Sequence, residues 1–138
     1  MKLQVVSTNF DKIRNLKYIA HESAELSFAD CGYEKYDVKY NGVPRKRDIY
    51  TLIAIQNGAG IIAVNGKKYF VQENDLLLIF PKMEVCMECV NEDVWDYMWI
   101  GFRGVKAEEC VMHMGFWQEN IVHKTNHVGK MNELIEYM

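Results

Sequence analysis

The stretch NGAGIIAVNGKKYFVQENDLLLIFP, residues 57–81, decides the fold class of this 138-residue chain. It holds three short apolar segments: NGAG (57–60) predicts a turn before the first, and Asn65-Gly66 and END (73–75) predict the turns between them. Asn65-Gly66 is the strongest short hairpin signal, because both residues tolerate a positive φ. Pro81 cannot donate a hydrogen bond to a ladder, so the last strand ends before it. This pattern predicts the wall of a β-barrel.

The flanking segments extend the same pattern. IYTLIAIQ (49–56), EVCMECV (84–90) and WDYMWIGF (95–102) are rich in β-branched and aromatic residues and predict three further strands. AELSFADCGYEKYDVKY (24–40) predicts a strand, a turn at Gly32 and a second extended piece, and NGVPRKRD (41–48) predicts a loop. Seven or eight short antiparallel strands predict a small barrel or sandwich whose interior takes one small ligand.

The hydrophobic period changes to a helical one after Gly104. A first apolar stripe, ended by Gly115, consists of Ala107, Cys110, Val111 and Met114. NIVHK (120–124) predicts a late strand. A second stripe begins near Asn126 and consists of Val128, Met131, Leu134, Ile135 and Met138. We expect the chain to stop inside this second helix and to be a fragment of a longer protein.

Composition and charge limit the function. The net charge is −3, so the chain lacks the broad positive field that a nucleic-acid backbone requires. No apolar run approaches the ~20 residues of a membrane span, and the N-terminus lacks the apolar core of a secretion signal. Four cysteines without such a signal are expected to be free thiols in a reducing compartment. These features favour a cytoplasmic protein that contacts no membrane.

One pattern has the ligands of a zinc site, Cys86-x-x-Cys89 followed by His123-x₃-His127. Residues three apart on a strand point to opposite faces, so the two thiolates cannot meet one metal ion without a bulge or turn. The chain has no His-x-His, and all its histidines lie outside the predicted barrel strands. It shows no Ser/His/Asp arrangement, and we place no paired carboxylates facing the barrel interior. We therefore expect no metal, no cofactor and no catalytic residue.

Three aromatic residues share one face of the strand WDYMWIGF. Because side chains alternate along a strand, Trp95, Tyr97 and Trp99 point to the same side. Such a row suits a sugar, whose C–H faces stack on the rings while its hydroxyls meet their polar tips. The alternative is that the three rings simply fill the barrel.

The order of the motifs resembles the ligand-binding, dimerising domain of AraC-type transcription regulators. The matching pieces within residues 31–104 are CGYE (31–34), RDIYTL (47–52), NGAG (57–60), VNGK (64–67), DL (75–76) with Pro81 beyond, and WDYMWIGF (95–102). Asn74 stands where the family usually has Gly, and Asn also accepts left-handed backbone geometry. The resemblance implies a mainly β fold, a cupin-type jelly-roll β-barrel followed by C-terminal α-helices.

The resemblance also implies an organisation and a function. Residues 1–22 would be an N-terminal arm, 23–104 the effector-binding barrel, and 105–138 the start of the dimerisation helices. The barrel would sense a small-molecule effector, often a sugar. The full-length protein would form a homodimer and bind DNA through a separate helix-turn-helix domain that this sequence lacks. The alternatives are a metal-independent cupin sugar isomerase or epimerase, and a dimerisation module without a ligand.

Seven residues become candidates for ligand binding. Tyr97 and Trp99 align with pocket positions of the family, as does Met87 on the preceding strand. An arginine from PRKRD (44–48) grips the effector in the family; we favour Arg47, which is nearest to the strand, over Arg45. The remaining two candidates are Trp95 and Tyr50, for which rim or core packing is the alternative. For Met87 the alternative is a core side chain that fills a gap, and for each arginine it is a solvated loop.

Overall fold

The structure, a computed structural model, describes residues 2–9, 13–19, 26–36, 42–89 and 95–124. Most of these residues belong to antiparallel strands. The strands in these ranges are β1 (Lys2–Asn9), β2 (Ile13–Ile19), β3 (Ser27–Tyr36), β4 (Arg45–Lys46), β5 (Tyr50–Asn57), β6 (Ala59–Val64), β7 (Lys67–Gln72), β8 (Asp75–Ile79), β9 (Glu84–Cys89), β10 (Trp95–Arg103) and β11 (Val122–Lys124). The helix α1 spans Ala107–His113. The predicted helix from Asn126 lies outside the described residues.

The strands form two antiparallel sheets. One has the order β1-β2-β3-β10-β5-β8-β11 and the other β4-β9-β6-β7. Both sheets contribute to one core, whose fully buried side chains include Ile55, Ile62, Val71, Leu77 and Trp95. In β6 burial alternates strictly, so that its even-numbered residues face this core. The prediction of a mainly β barrel is confirmed, with eleven described strands in place of seven or eight.

The hairpin between β6 and β7 is the one that Asn65-Gly66 predicts. Their φ angles are 49° and 84°, both in the left-handed region that a two-residue type I′ turn requires. The Asn65 side chain also accepts a hydrogen bond of 2.9 Å from the Glu84 backbone N–H, which ties the turn to the start of β9. Asn74 has φ 73° in the next turn, so asparagine does supply the left-handed geometry there.

The sheets approach each other closely at Gly60. A Cβ built on Gly60 would lie 2.4 Å from Cε2 of Trp95, so only glycine fits beneath the indole. Gly60 belongs to β6, which begins at Ala59, and the predicted four-residue turn at 57–60 is therefore too long. Two glycines close together read as a turn, but the second one allows close packing of the sheets.

Two segments differ from their predictions. Gly32 does not turn the chain, because β3 runs through it and pairs it with Trp99 on one side and Asn15 on the other. Pairing on both sides outweighs the weak local preference of glycine for turns. Part of the predicted loop forms β4, which pairs with β9. The N-terminal segment forms β1 and β2, which extend the larger sheet next to β3.

The C-terminal part returns to the barrel. α1 ends as predicted, with Gly115 at φ 90° after its last turn. It buries Ala107 and Val111, whereas Met114 is 48% exposed. The predicted late strand is confirmed as β11, which pairs with β8 and so adds to the sheet beyond residue 104. No helix within the described ranges is long and apolar enough to span a membrane.

Candidate functional site

A cavity of about 390 Å³ opens between the two sheets. Its volume is within the range of small-molecule sites, roughly 300–1,000 Å³. Strands β3, β4, β5, β8, β9 and β10 and the segments next to them supply its walls. The lining residues are Asp30, Glu34, Val43, Arg45, Arg47, Thr51, Ile53, Ile79, Met83, Val85, Met87, Tyr97 and Trp99.

An ion pair crosses one side of the cavity. Nη2 of Arg47 lies 2.6 Å from Oδ2 of Asp30, and Nη1 donates a hydrogen bond of 3.2 Å to Oγ1 of Thr51. A Cβ on Gly101 would lie 2.4 Å from Oδ1 of Asp30, so glycine at that position leaves room for the carboxylate. The Arg47 side chain is 38% exposed, and pairs of this exposure add little stability. The pair instead fixes the direction of the guanidinium.

A second polar pair joins β3 to β10. The Tyr97 hydroxyl donates a hydrogen bond of 2.6 Å to Oε2 of Glu34, and the two residues stand directly opposite each other in the ladder. Both are buried. A tyrosine tip that reaches a carboxylate across a ladder explains how Glu34 is accommodated in the barrel, since buried polar groups require hydrogen-bond partners.

The two carboxylates correct the sequence analysis, which placed none in the barrel. Asp30 and Glu34 both line the cavity. The signal was present, since Asp30, Gly32 and Glu34 alternate along β3 and therefore share one face. The predicted turn at Gly32 interrupted this alternation, so the sequence analysis did not place the two carboxylates on one face. Thr51, which begins the buried part of β5, was also missed.

An aromatic and apolar wall lies beside these polar groups. Trp99 lies beside Tyr97, with ring centroids 6.2 Å apart and planes tilted by 45°, and remains partly exposed towards the cavity. Val85 and Met87 on β9 continue the lining. The cavity thus combines ring and thioether surface with charged hydrogen-bonding groups. This combination suits a small ligand that has both apolar and hydroxyl surface.

The structure brings together five of the seven predicted ligand-binding residues. Those that line the cavity are Arg45, Arg47, Met87, Tyr97 and Trp99. Trp95 is completely buried in the core, 5.4 Å from the Tyr97 ring, and Tyr50 stacks on Phe102 at 5.5 Å, both away from the cavity lining. Burial, and then the negative charge of Glu108, raises the pKa of the Tyr50 hydroxyl above its ordinary value. Ligand contact by any of the seven stays a prediction.

The cysteine and histidine pattern gives no cluster in the described part of the chain. No three His, Cys, Asp or Glu side chains described there lie close enough together to hold a metal ion. His123 belongs to β11, which corrects its predicted place outside the barrel strands. Its Nε2 lies 2.8 Å from the Gly115 carbonyl oxygen, and its ring packs edge-on against Phe116. The Cys89 side chain, His21 and His127 lie outside the described residues.

Two antiparallel sheets that enclose a cavity lined by polar and aromatic groups define a class, the cupin-like barrels. Comparison of the sequence with known families assigns the chain to one family within this class. A family model described as the AraC-like ligand binding domain matches residues 28–121, and the chain belongs to this family.

Individual relatives agree with this assignment. The chain is 27% identical over 114 residues to the Msm operon regulatory protein of Streptococcus mutans, covering 83% of this chain and 40% of that protein. It is 33% identical over 98 residues to the raffinose operon transcriptional regulatory protein RafR of Pediococcus pentosaceus, covering 67% of this chain and 34% of that protein. The chain therefore spans well under half the length of these curated relatives.

A solved structure supports the fold. The chain is similar to a cupin protein from Bacteroides fragilis with a TM-score of 0.53 and 16% identity, over 73% of this chain and 93% of the other. At that identity the likeness concerns the fold alone. It agrees with the prediction of a cupin-type barrel.

Proposed function

We propose that this chain is the effector-sensing domain of an AraC-type transcriptional regulator and that its effector is a sugar. One observation carries the proposal: a single cavity holds the partly exposed Trp99 ring, the Arg47–Asp30 ion pair and the Glu34–Tyr97 pair. The names of two relatives, regulators of the Msm and raffinose operons, support it.

Sugar chemistry matches each part of this lining. A sugar presents C–H groups that stack on an aromatic face such as that of Trp99. Its hydroxyls are both donors and acceptors, so they can donate to the carboxylates of Asp30 and Glu34 and accept from the guanidinium of Arg47. The ion pair and the tyrosine bond hold these groups in place before the ligand arrives, which lowers the entropic cost of binding.

The response to the ligand would start at β3 and the segment that leads into Arg47. A sugar that forms hydrogen bonds with Asp30, Arg47 or both would compete with the ion pair that joins these two parts of the chain. On its other side β3 pairs with β2, so a shift there reaches the N-terminal strands. In the whole protein, which we infer to be a homodimer, such a shift would change how two DNA-binding domains are presented.

A second candidate function is a metal-independent sugar isomerase or epimerase. Glu34 favours it, because this carboxylate lies in the cavity where such chemistry needs a base. The regulator relatives favour sensing instead. Proton NMR in deuterium oxide separates the two, since an enzyme would exchange a carbon-bound proton of the sugar and a sensor would not.

A thermal-shift screen tests the proposal. The probes are raffinose, melibiose, sucrose, galactose, glucose and arabinose, with inositol at equal molarity as a control for non-specific polyol effects. A ligand at 100 times its Kd adds about 2.7 kcal/mol to the free energy of unfolding, so a true effector raises the Tm by several degrees. If no sugar raises the Tm beyond the inositol control, the proposal is wrong.

A further inference from the structure

We propose that Glu34 makes the cavity selective for an uncharged sugar and against phosphorylated and acidic sugars. The inference rests on the proposed function and goes beyond it by assigning a chemical class of effector to one residue. Its basis is the distribution of charge along the cavity wall, which can be followed group by group.

The positive charge of Arg47 already has protein partners in the cavity wall. Arg47 forms its 2.6 Å ion pair with Asp30 and a further hydrogen bond with Thr51, so two of its nitrogen atoms have protein partners. The other lining cation in the described chain is Arg45, which is exposed. Solvent weakens the field of an exposed charge, so Arg45 attracts an anion at the inner wall less than a buried cation would.

The negative charge of Glu34, unlike that of Asp30, has no cationic partner in the described part of the cavity wall. The residue is 6% exposed, and its partner is the neutral hydroxyl of Tyr97 at 2.6 Å. An ionised carboxylate has about four acceptor sites, of which this bond uses one. The remaining acceptor capacity suits the hydroxyl groups of a sugar, which can donate to it.

Apart from the exposed Arg45, the charged residues on this wall are the largely buried Asp30 and Glu34 and the part-exposed Arg47, two negative and one positive. A phosphate or carboxylate group inside a cavity of about 390 Å³ cannot move far from both carboxylates. Glu34 is 6% exposed, so solvent screens its charge less than that of an exposed group, and it repels an anion that lies close to it. An uncharged ligand meets no such repulsion and gains the hydrogen bonds instead.

The test compares matched probes by calorimetry. The pairs are galactose with galactose 6-phosphate and glucose with glucose 6-phosphate and glucuronate, together with the best neutral sugar of the screen. We expect wild type to bind the neutral member at least about tenfold more tightly. Glu34→Gln keeps the shape and removes the charge, so its affinity for the neutral sugar should fall by about 10- to 100-fold, and the preference against the anionic member should shrink.

Glu88→Gln is the matched control. Glu88 lies on β9, pairs with Lys68 at 3.7 Å and does not line the cavity. The affinities of the Glu88→Gln variant for both members of each probe pair should therefore equal those of wild type. If Glu34→Gln does not fold, Tyr97→Phe serves as the second variant. It removes the hydrogen-bond donor, keeps the carboxylate, and should still reject the anionic probes.

The outcomes separate the two proposals. Equal or tighter binding of a sugar phosphate by wild type overturns the selectivity while leaving sugar sensing in place. A folded Glu34→Gln variant with an unchanged preference does the same, as does a Tyr97→Phe variant that accepts the anionic probes. Failure of every neutral and anionic sugar to bind overturns the proposed function and this inference with it.

Discussion

Trp95 and Trp99 point to the same side of β10, yet their surroundings differ. Trp95 is fully buried against Gly60, where the two sheets approach closely, whereas Trp99 is partly exposed at the cavity. The same residue type on the same face of one strand therefore serves packing at one position and is available to a ligand at the other. Gly60 on the other sheet lets the backbone approach Trp95 closely, which explains the burial of that indole.

At the residue scale we predict that Trp99→Phe folds but binds the effector about three- to tenfold more weakly. Phenylalanine keeps a ring and much of the volume, but it offers less stacking surface and no indole N–H. Trp117→Phe is the control, because Trp117 is 50% exposed and lies outside the cavity lining. Calorimetry with the sugar found in the screen measures both variants; equal affinities for wild type and Trp99→Phe would contradict the assignment of this wall.

At the scale of elements, β3 supplies both carboxylates of the cavity lining. It pairs along its whole length with β10, which contributes Tyr97 and Trp99. The polar wall and the aromatic wall thus belong partly to neighbouring strands of one sheet. Their relative position depends on the register of a single strand pair, with Tyr97 opposite Glu34 and Trp99 opposite Gly32.

The contact between β6 and β10 gives a prediction about how the sheets pack. Gly60→Ala places a Cβ against the Trp95 indole and should lower the free energy of unfolding by about 1–3 kcal/mol, the usual cost of overpacking. Urea denaturation measures it. Gly66→Ala is the control: its added Cβ would lie in open space, so its loss of stability comes only from the strain of a positive φ.

A double variant separates packing from backbone effects. Adding Trp95→Phe to Gly60→Ala should recover part of the lost stability, because a smaller ring leaves room for the added methyl group. Trp95→Phe combined with Gly66→Ala should show additive losses. Additive losses in both pairs would mean that the indole does not set the spacing between the sheets.

At the scale of the whole molecule, the balance of charge bears on whether the chain contacts nucleic acid. The chain carries 16 basic and 19 acidic residues. We predict that the 138-residue chain alone does not retard DNA in a gel-shift experiment at moderate salt, because it cannot release enough counterions. Sequence-selective retardation by this chain would contradict both the prediction and the proposal that DNA contacts belong to another part of the protein.

The sequence by itself determined the features that depend on neighbours along the chain. Strand segments follow from runs of apolar and β-branched residues, the Asn65-Gly66 hairpin from residues that accept a positive φ, and the end of α1 from Gly115. The order of these motifs also identified the family. All of this is local information, which a linear pattern preserves.

Only the tertiary structure decided which residues line the cavity. Gly32 continues a strand because β2 and β10 pair with it on both sides, and that continuity turns Asp30 and Glu34 towards the cavity. Trp95 and Trp99 could not be distinguished by their spacing, since both obey the same alternation. The deciding contacts come from strands far away in sequence, and the burial of a polar or aromatic side chain depends on those partners rather than on its neighbours in the chain.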